Sequence, residues 1–344
     1  MKPIDAKKML LAAMIALLPG ITQTQAIVLD TVFVGDAGNT NDTTGYGGVG
    51  YTYSIGKYEV SNTQYTAFLN SVAVTDTYNL YNTNMGSNGN TRGITRTGSS
   101  GSYSYTVIAG NGNKPVAYIS WFDAARFANW MSNGQPTGAQ GSTTTEYGAY
   151  ALNGATSGLF SKSATNPNTG AAPTWWIPSL NEWYKAAYYD PSPSGPAGAD
   201  NYWNYSTRSD AAPGNVVGSG ASQANYFIAG TGYSVTQSTT LNGSQIYLTD
   251  GGAYSDSASY YGTFDQGGNL WEWNDAVVGS NRGIRGGSWT SQAGNLISTG
   301  ANYSEGPGNE YNTVGFRLAT SIPEPSAALM VLGAGTLFLL RRRV

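Results

Sequence analysis

The chain of 344 residues contains no cysteine and no histidine. Without imidazole there is no Ser-His-Asp triad, no imidazole general base and no His-ligated zinc or iron. Without thiols there is no thiolate nucleophile, iron–sulfur cluster, disulfide or soft-metal site. Copper, zinc and haem are therefore not expected. Any metal is a hard one held by oxygen. Acid–base chemistry falls to Asp, Glu, Lys or Tyr.

Charge is also scarce, at 11% of residues. Residues 27–320 hold 11 basic against 18 acidic side chains, a net −7. Such a body cannot neutralise a phosphate backbone, so no nucleic-acid partner is expected. What is abundant is Gly, at 46, and Tyr, at 25.

The two ends read as addresses. Lys2, Lys7 and Lys8 precede an apolar run from Met9 to Leu18, closed by Thr24-Gln25-Ala26. That order of a basic, an apolar and a small-residue region predicts a secretory leader over 1–26. At the other end Pro323-Glu324-Pro325 precedes the apolar stretch Ser326 to Leu340 and then Arg341-Arg342-Arg343. Residues 326–340 are short for a spanning helix, and three arginines stay on the cytoplasmic side. Transient anchorage in the inner membrane is expected. Residues 321–344 resemble the PEP-CTERM sorting signals of Gram-negative bacteria. That resemblance implies recognition by an exosortase, removal of the tail, and delivery to the outer surface or extracellular matrix.

The body carries no clear linker or repeat. Stretches 75–113, 134–172 and 192–225 are rich in Thr, Asn, Gly, Ser and Tyr and read as long surface loops. Three short helices stand out. Ser61 can cap a helix whose Tyr65, Phe68, Leu69 and Val72 share a face. Ser120 with Asp123, and Ser179 with Glu182, form capping boxes, stopped at Gly134 and Pro191. Strand signals lie at 51–58, 115–119, 283–289 and 314–319. The expected class is α+β, low in regular secondary structure.

Six motifs follow one another: KYEVSNTQYTAFL (57–69), PVAYISWFDAARFANWMS (115–132), WIPSLNEWYKAAYY (176–189), GNLWEWNDA (268–276), RGIRGGSW (282–289) and VGFRLA (314–319). In this order they resemble the formylglycine-generating enzyme, or sulfatase-modifying-factor, family over about residues 27–320. The resemblance implies a variant of the C-type-lectin fold.

The segment DQGGNLWE, from Asp265 to Glu272, brackets a Gly-Gly turn with two carboxylates. Calcium takes six to eight oxygens from carboxylates, carbonyls and water, and glycines let carbonyls point inward. The family resemblance implies a calcium site here, with Asp265, the carbonyls of Gly268 and Leu270, and Glu272 as ligands. The alternative is that Glu272 pairs with Arg285 or Arg317 and holds the loop without a metal. A second family calcium site would involve Asn225 and Tyr226, and its downstream acidic partner does not align. Arg285 and Arg317 could clamp a carboxylate or sulfate, or serve as structural ion-pair partners.

The enzymes of this family oxidise a substrate cysteine with two active-site cysteines after the Gly-Gly-Ser-aromatic motif. Here that stretch reads Thr290-Ser291-Gln292-Ala293-Gly294-Asn295-Leu296, and Ser291 and Leu296 match the two thiol positions. Neither side chain binds copper(I) or exchanges disulfides. No catalytic residue is expected. The one enzyme alternative is a two-carboxylate glycoside hydrolase drawing on Glu59, Asp123, Glu182, Asp265 and Glu272. The resulting expectation is an exported, non-catalytic relative that holds a polysaccharide or surface-protein ligand on its Tyr- and Trp-rich loops. Its rival is a structural matrix protein with no specific ligand.

Overall fold

The computed structural model describes residues 26–196, 200–300 and 303–322. The leader and the sorting segment lie outside the described residues, apart from Ala26, Ser321 and Ile322. The chain begins with strands β1 (Thr31–Val34) and β2 (Tyr53–Gly56), helices α1 (Asn62–Val72) and α2 (Asn84–Ser87), and the hairpin β3 (Ile94–Thr97) and β4 (Ser104–Val107). Next come α3 (Trp121–Ser132), β5 (Trp175–Trp176), α4 (Leu180–Tyr188), β6 (Phe227–Ile228) and β7 (Gly232–Tyr233). The last part holds β8 (Trp271–Val278), β9 (Asn281–Arg285), α5 (Ala293–Leu296), β10 (Tyr303–Glu305), β11 (Val314–Gly315) and β12 (Ala319–Thr320). This is an α+β arrangement of few helices and mixed sheets, with most of the chain in loops.

Helices α1, α3 and α4 begin where their caps place them. Ser61, Ser120 and Ser179 each accept from the backbone three residues on, and Gln64, Asp123 and Glu182 reach back to the cap N–H. Each box satisfies N–H groups that a helix start otherwise leaves orphaned. Every residue of α3 is buried, so its polar side chains need internal partners. Arg126 finds Glu146 at 2.7 Å, and Asn129 bonds the carbonyls of Thr145 and Tyr150.

Two four-stranded sheets, ordered β1-β2-β12-β5 and β10-β9-β8-β11, carry the remaining framework. In the first, β12 lies antiparallel between β2 and β5, which returns the end of the body to its beginning. In the second, β8 and β9 form a bulged hairpin and β11 runs parallel to β8, setting Gly315 opposite Glu272. The main core is aromatic: Tyr65, Phe68, Phe127, Trp130 and Phe316 meet with several ring centroids 5.2–5.6 Å apart. A second cluster joins Trp183, Tyr184, Tyr188, Tyr189 and Tyr202.

Two expectations are corrected, and one strand was not anticipated. Residues 115–119 form no strand, and only Pro115 bridges to Ser61. The stretch 75–113 holds α2 and the β3–β4 hairpin, whose Thr- and Ser-rich strands carry little aliphatic periodicity. Strand β8 extends the Trp-Glu-Trp motif to eight residues. Among the described residues no helix is long and apolar enough to cross a membrane.

Candidate functional site

The loop after β9 is shaped by Gly286 and Gly287, at φ +99° and +78°. A Cβ on Gly287 would meet Leu296 Cδ1 at 2.6 Å and Ser291 Cβ at 3.3 Å. The absent side chain is thus what lets Ser291 and Leu296 close over this turn. The Ser291 hydroxyl accepts from the Ser288 N–H at 2.9 Å, and Ser288 shares a second hydroxyl contact with Thr290 at 3.0 Å. Leu296, at the end of α5, is 1% exposed and packs with Tyr205, Ala224 and Tyr226. Where the resemblance places a thiol pair, the chain has a hydrogen-bonded serine beside an apolar plug. Such a surface offers no ligand to a soft metal and no nucleophile of low pKa.

The Asp265–Glu272 loop sits against this turn, since the Gly268 N–H donates to the Gly286 carbonyl at 2.8 Å. Asp265, Gly268 and Asn269 all have positive φ. Gly268 is obligatory: a Cβ there would stand 2.3 Å from the Asn225 carbonyl oxygen. Glu272 is fully buried and accepts three hydrogen bonds, from Arg317 Nε and Nη2, both at 2.6 Å, and from Trp183 Nε1 at 2.8 Å. Arg317 also donates to the carbonyls of Gly56 and Phe264. Of the two candidate partners, then, Arg317 takes the Glu272 carboxylate. Arg285 stands opposite Glu272 in the β8–β9 register, and its guanidinium donates to the Ser298 and Gly300 carbonyls beside Tyr46 and Tyr184.

Two further carboxylates approach Arg317. Glu59, 4% exposed, accepts from Asn269 Nδ2 at 2.8 Å and the Leu270 N–H at 3.1 Å. Burial, then the nearby charges of Glu272 and Asp265, push its carboxyl well above the usual range. Asp265 accepts from the Gly252 N–H at 2.7 Å, and burial lifts it to about 6 against the pull of that bond and of Arg317. Glu272 alone pairs with the buried Arg317 guanidinium, while burial and the neighbouring carboxylates favour the neutral form of Glu59. Among the described residues no three acidic side chains stand close enough to ligate one metal ion. The four-ligand set above draws on only two, completed by carbonyls, and an ion there would share Glu272 with Arg317.

The remaining carboxylates are accounted for locally. Glu182 closes its capping box and accepts from Trp176 Nε1 at 3.2 Å and the Tyr51 hydroxyl at 2.8 Å. Asp123 is bonded by the Ser120 N–H and hydroxyl, and burial, then Glu310, pushes it up to about 8. Asn225 bonds the Tyr247 carbonyl and Asn269 Oδ1, so its side chain ties loops together. Sequence reasoning missed Trp183 as a Glu272 donor and Glu59 as a brace for residues 269–270. Glu59 stood in the quoted motif at 57–69, but no spacing tells that it packs beneath a loop two hundred residues on.

Among the described residues, openings mark the surface at several places. One of about 390 Å³ is bordered by Asp30, Tyr58, Glu59 and Asp250. A smaller one of about 170 Å³ lies between Tyr46, Val277 and Tyr303. Another, of about 560 Å³, lies at Trp203 and Arg208 in the stretch 192–225, where the sequence showed only loop composition.

Comparison with known proteins places residues 10–322 in a match to the Sulfatase-modifying factor enzyme 1-like domain. Among solved structures, that of CarF is similar with a TM-score of 0.49 and 20% identity, covering 86% of this chain and 99% of CarF. Variable protein 1 of Treponema denticola gives a TM-score of 0.45 and 15% identity, covering 87% of this chain and 97% of its own. PvdO from Pseudomonas aeruginosa gives 0.41 and 16%, covering 86% and 92%. No curated protein matches the chain.

Proposed function

The chain belongs to the family of sulfatase-modifying factor enzyme 1-like domains, and we propose that it is a member without oxidative chemistry, used as a binding scaffold at a bacterial surface. The observation that carries this reading is Leu296, buried beside Ser291 at the positions the resemblance gives to thiols. A leucine there supports packing and nothing redox-active. The loops around it are rich in Tyr and Trp, whose rigid, amphipathic faces give contact area at low entropic cost. The lectin-like scaffold is proposed to hold a glycan or a surface protein. The address segments support export, transient inner-membrane anchorage and exosortase sorting to the outer surface or matrix.

Calcium is part of this proposal. Asp265, Glu272 and the carbonyls of Gly268 and Leu270 are its proposed ligands, supported by the left-handed Asp265–Gly268–Asn269 turn that sets two carboxylates at either end of one loop. A glycan array probed with the purified protein tests the binding reading, and retention on at least one polysaccharide is expected. Silence across the array, the producer's own polysaccharides included, would favour a structural matrix protein.

A further inference from the structure

The groove of about 560 Å³ has a rigid frame built on one residue that never reaches its surface. Asp190 is fully buried, and its carboxylate accepts from the Ser192 N–H and hydroxyl, from Trp203 Nε1 at 3.0 Å, and from Arg208 Nε at 3.1 Å. Burial opposes its charge, yet these bonds and the Arg208 guanidinium hold it below the usual carboxylate range. One buried anion thereby fixes both an indole and a guanidinium in the wall of an open groove. Two groove residues, Arg208 at φ +57° and Ser222 at φ +50°, have left-handed backbones that side chains rarely adopt. Such outliers persist where the surroundings over-determine them, and they concentrate at ligand sites. Thr207 Oγ1 and Ser222 Oγ, 3.0 Å apart, tie the two strained segments together.

The chemistry of the lining is specific. Trp203 is half-buried in the lining, and exposed Tyr260 stands beside Arg208. Hydroxyls of Ser209, Ser222 and Ser255 both donate and accept, and the exposed Asp256 carboxylate accepts only. The positive charge of Arg208 is met by Asp190, so Asp256 leaves the groove with negative charge to spare. An aromatic wall facing hydroxyls and a carboxylate suits a polyol with one apolar face. The spare negative charge disfavours an anionic one. The volume lies within the range of small-molecule sites.

Resting on the binding reading above, we propose that this groove is a subsite for neutral pyranose units of a polysaccharide, with Trp203 as the stacking face and Asp256 as acceptor for a vicinal diol. It binds without cleaving. Asp190 is saturated beneath the floor, and Asp256 has no second free carboxylate across the groove among the lining residues, as glycoside hydrolysis needs.

Affinity electrophoresis of the purified protein in gels holding dextran, laminarin or mannan tests this, with alginate as the anionic polymer. The variants are Trp203→Ala, Asp256→Asn and Ser255→Trp, the last filling the groove from an exposed position that does not touch Asp190. Melting curves confirm that each variant folds. Retardation by at least one neutral glycan is expected, with none by alginate. Affinity should fall roughly tenfold or more in Ser255→Trp and Trp203→Ala, about the loss of one good contact. Neutral-glycan binding that Ser255→Trp leaves unchanged would overturn the subsite while leaving the binding reading intact. Retardation by alginate alone would overturn the neutral assignment. No retardation in any gel would overturn the subsite and the glycan reading together.

Discussion

Arg317 grips Glu272 through two hydrogen bonds of 2.6 Å, and both side chains are fully buried. The pair joins the segment between β11 and β12 to the Trp-Glu-Trp strand, and Trp183 from α4 closes it from a third side. Burial works against the Arg317 charge, but Glu272 and then Glu59 and Asp265 raise its pKa above the ordinary value. The pair is thus the electrostatic keystone beneath the 265–272 loop.

Removing one partner strands a buried charge, at a cost of about 3–5 kcal/mol. Arg317→Met is therefore expected to lower the melting temperature by roughly 10 °C. The proposed calcium is expected to add to this arrangement rather than replace it. Millimolar calcium over a micromolar site adds roughly 4 kcal/mol, read as a rise of several degrees that chelator abolishes and Asp265→Ala greatly reduces. Magnesium, which demands a tight octahedron, should substitute poorly. Melting curves unmoved by calcium would leave Arg317 as the sole counter-charge of Glu272.

Asp123 gives a pH signature of its own. Its folded pKa of about 8 lies far above the unfolded value, so its stabilising protonation is lost as pH rises through 8. Lys185, pushed down to about 8 by burial, works in the opposite sense. Comparing wild type with Asp123→Asn isolates the first effect. Wild type should lose stability relative to the variant as pH rises from about 5 to 8 and level off above that, and a constant difference from pH 5 to 8 would place the Asp123 charge in a solvated setting.

The mature chain is expected to begin near Ile27 and to lack Arg341 to Arg343. Intact-mass measurement on protein recovered from the native host checks both ends. A recovered chain that keeps the three arginines would overturn tail removal.

The sequence made some of this legible and hid the rest for physical reasons. Capping is local chemistry, so Ser61, Ser120 and Ser179 mark helix starts that the structure keeps. Strand β8 is half-buried irregularly and bulged after Trp273, which erases the alternation that would announce it. Ser291 and Leu296 are brought together by the left-handed Gly287 turn, and motif order alone anticipated their pairing. The choice between Arg285 and Arg317 was open because both lie beside glycines in apolar surroundings. Only the parallel pairing of β11 with β8 brings Arg317 to Glu272. The Asp190 frame escaped notice entirely, since its partners are scattered through loop-like sequence.

The central claim is that Ser291 and Leu296 leave this fold without the family's oxidation. Its most direct test is incubation of the purified protein with a cysteine-containing sulfatase peptide, copper and oxygen, followed by mass spectrometry of the peptide. The peptide mass should match that of a copper-only control, with no aldehyde formed. Conversion of the cysteine to formylglycine above that control would contradict the account and place the chemistry on residues other than a thiol pair.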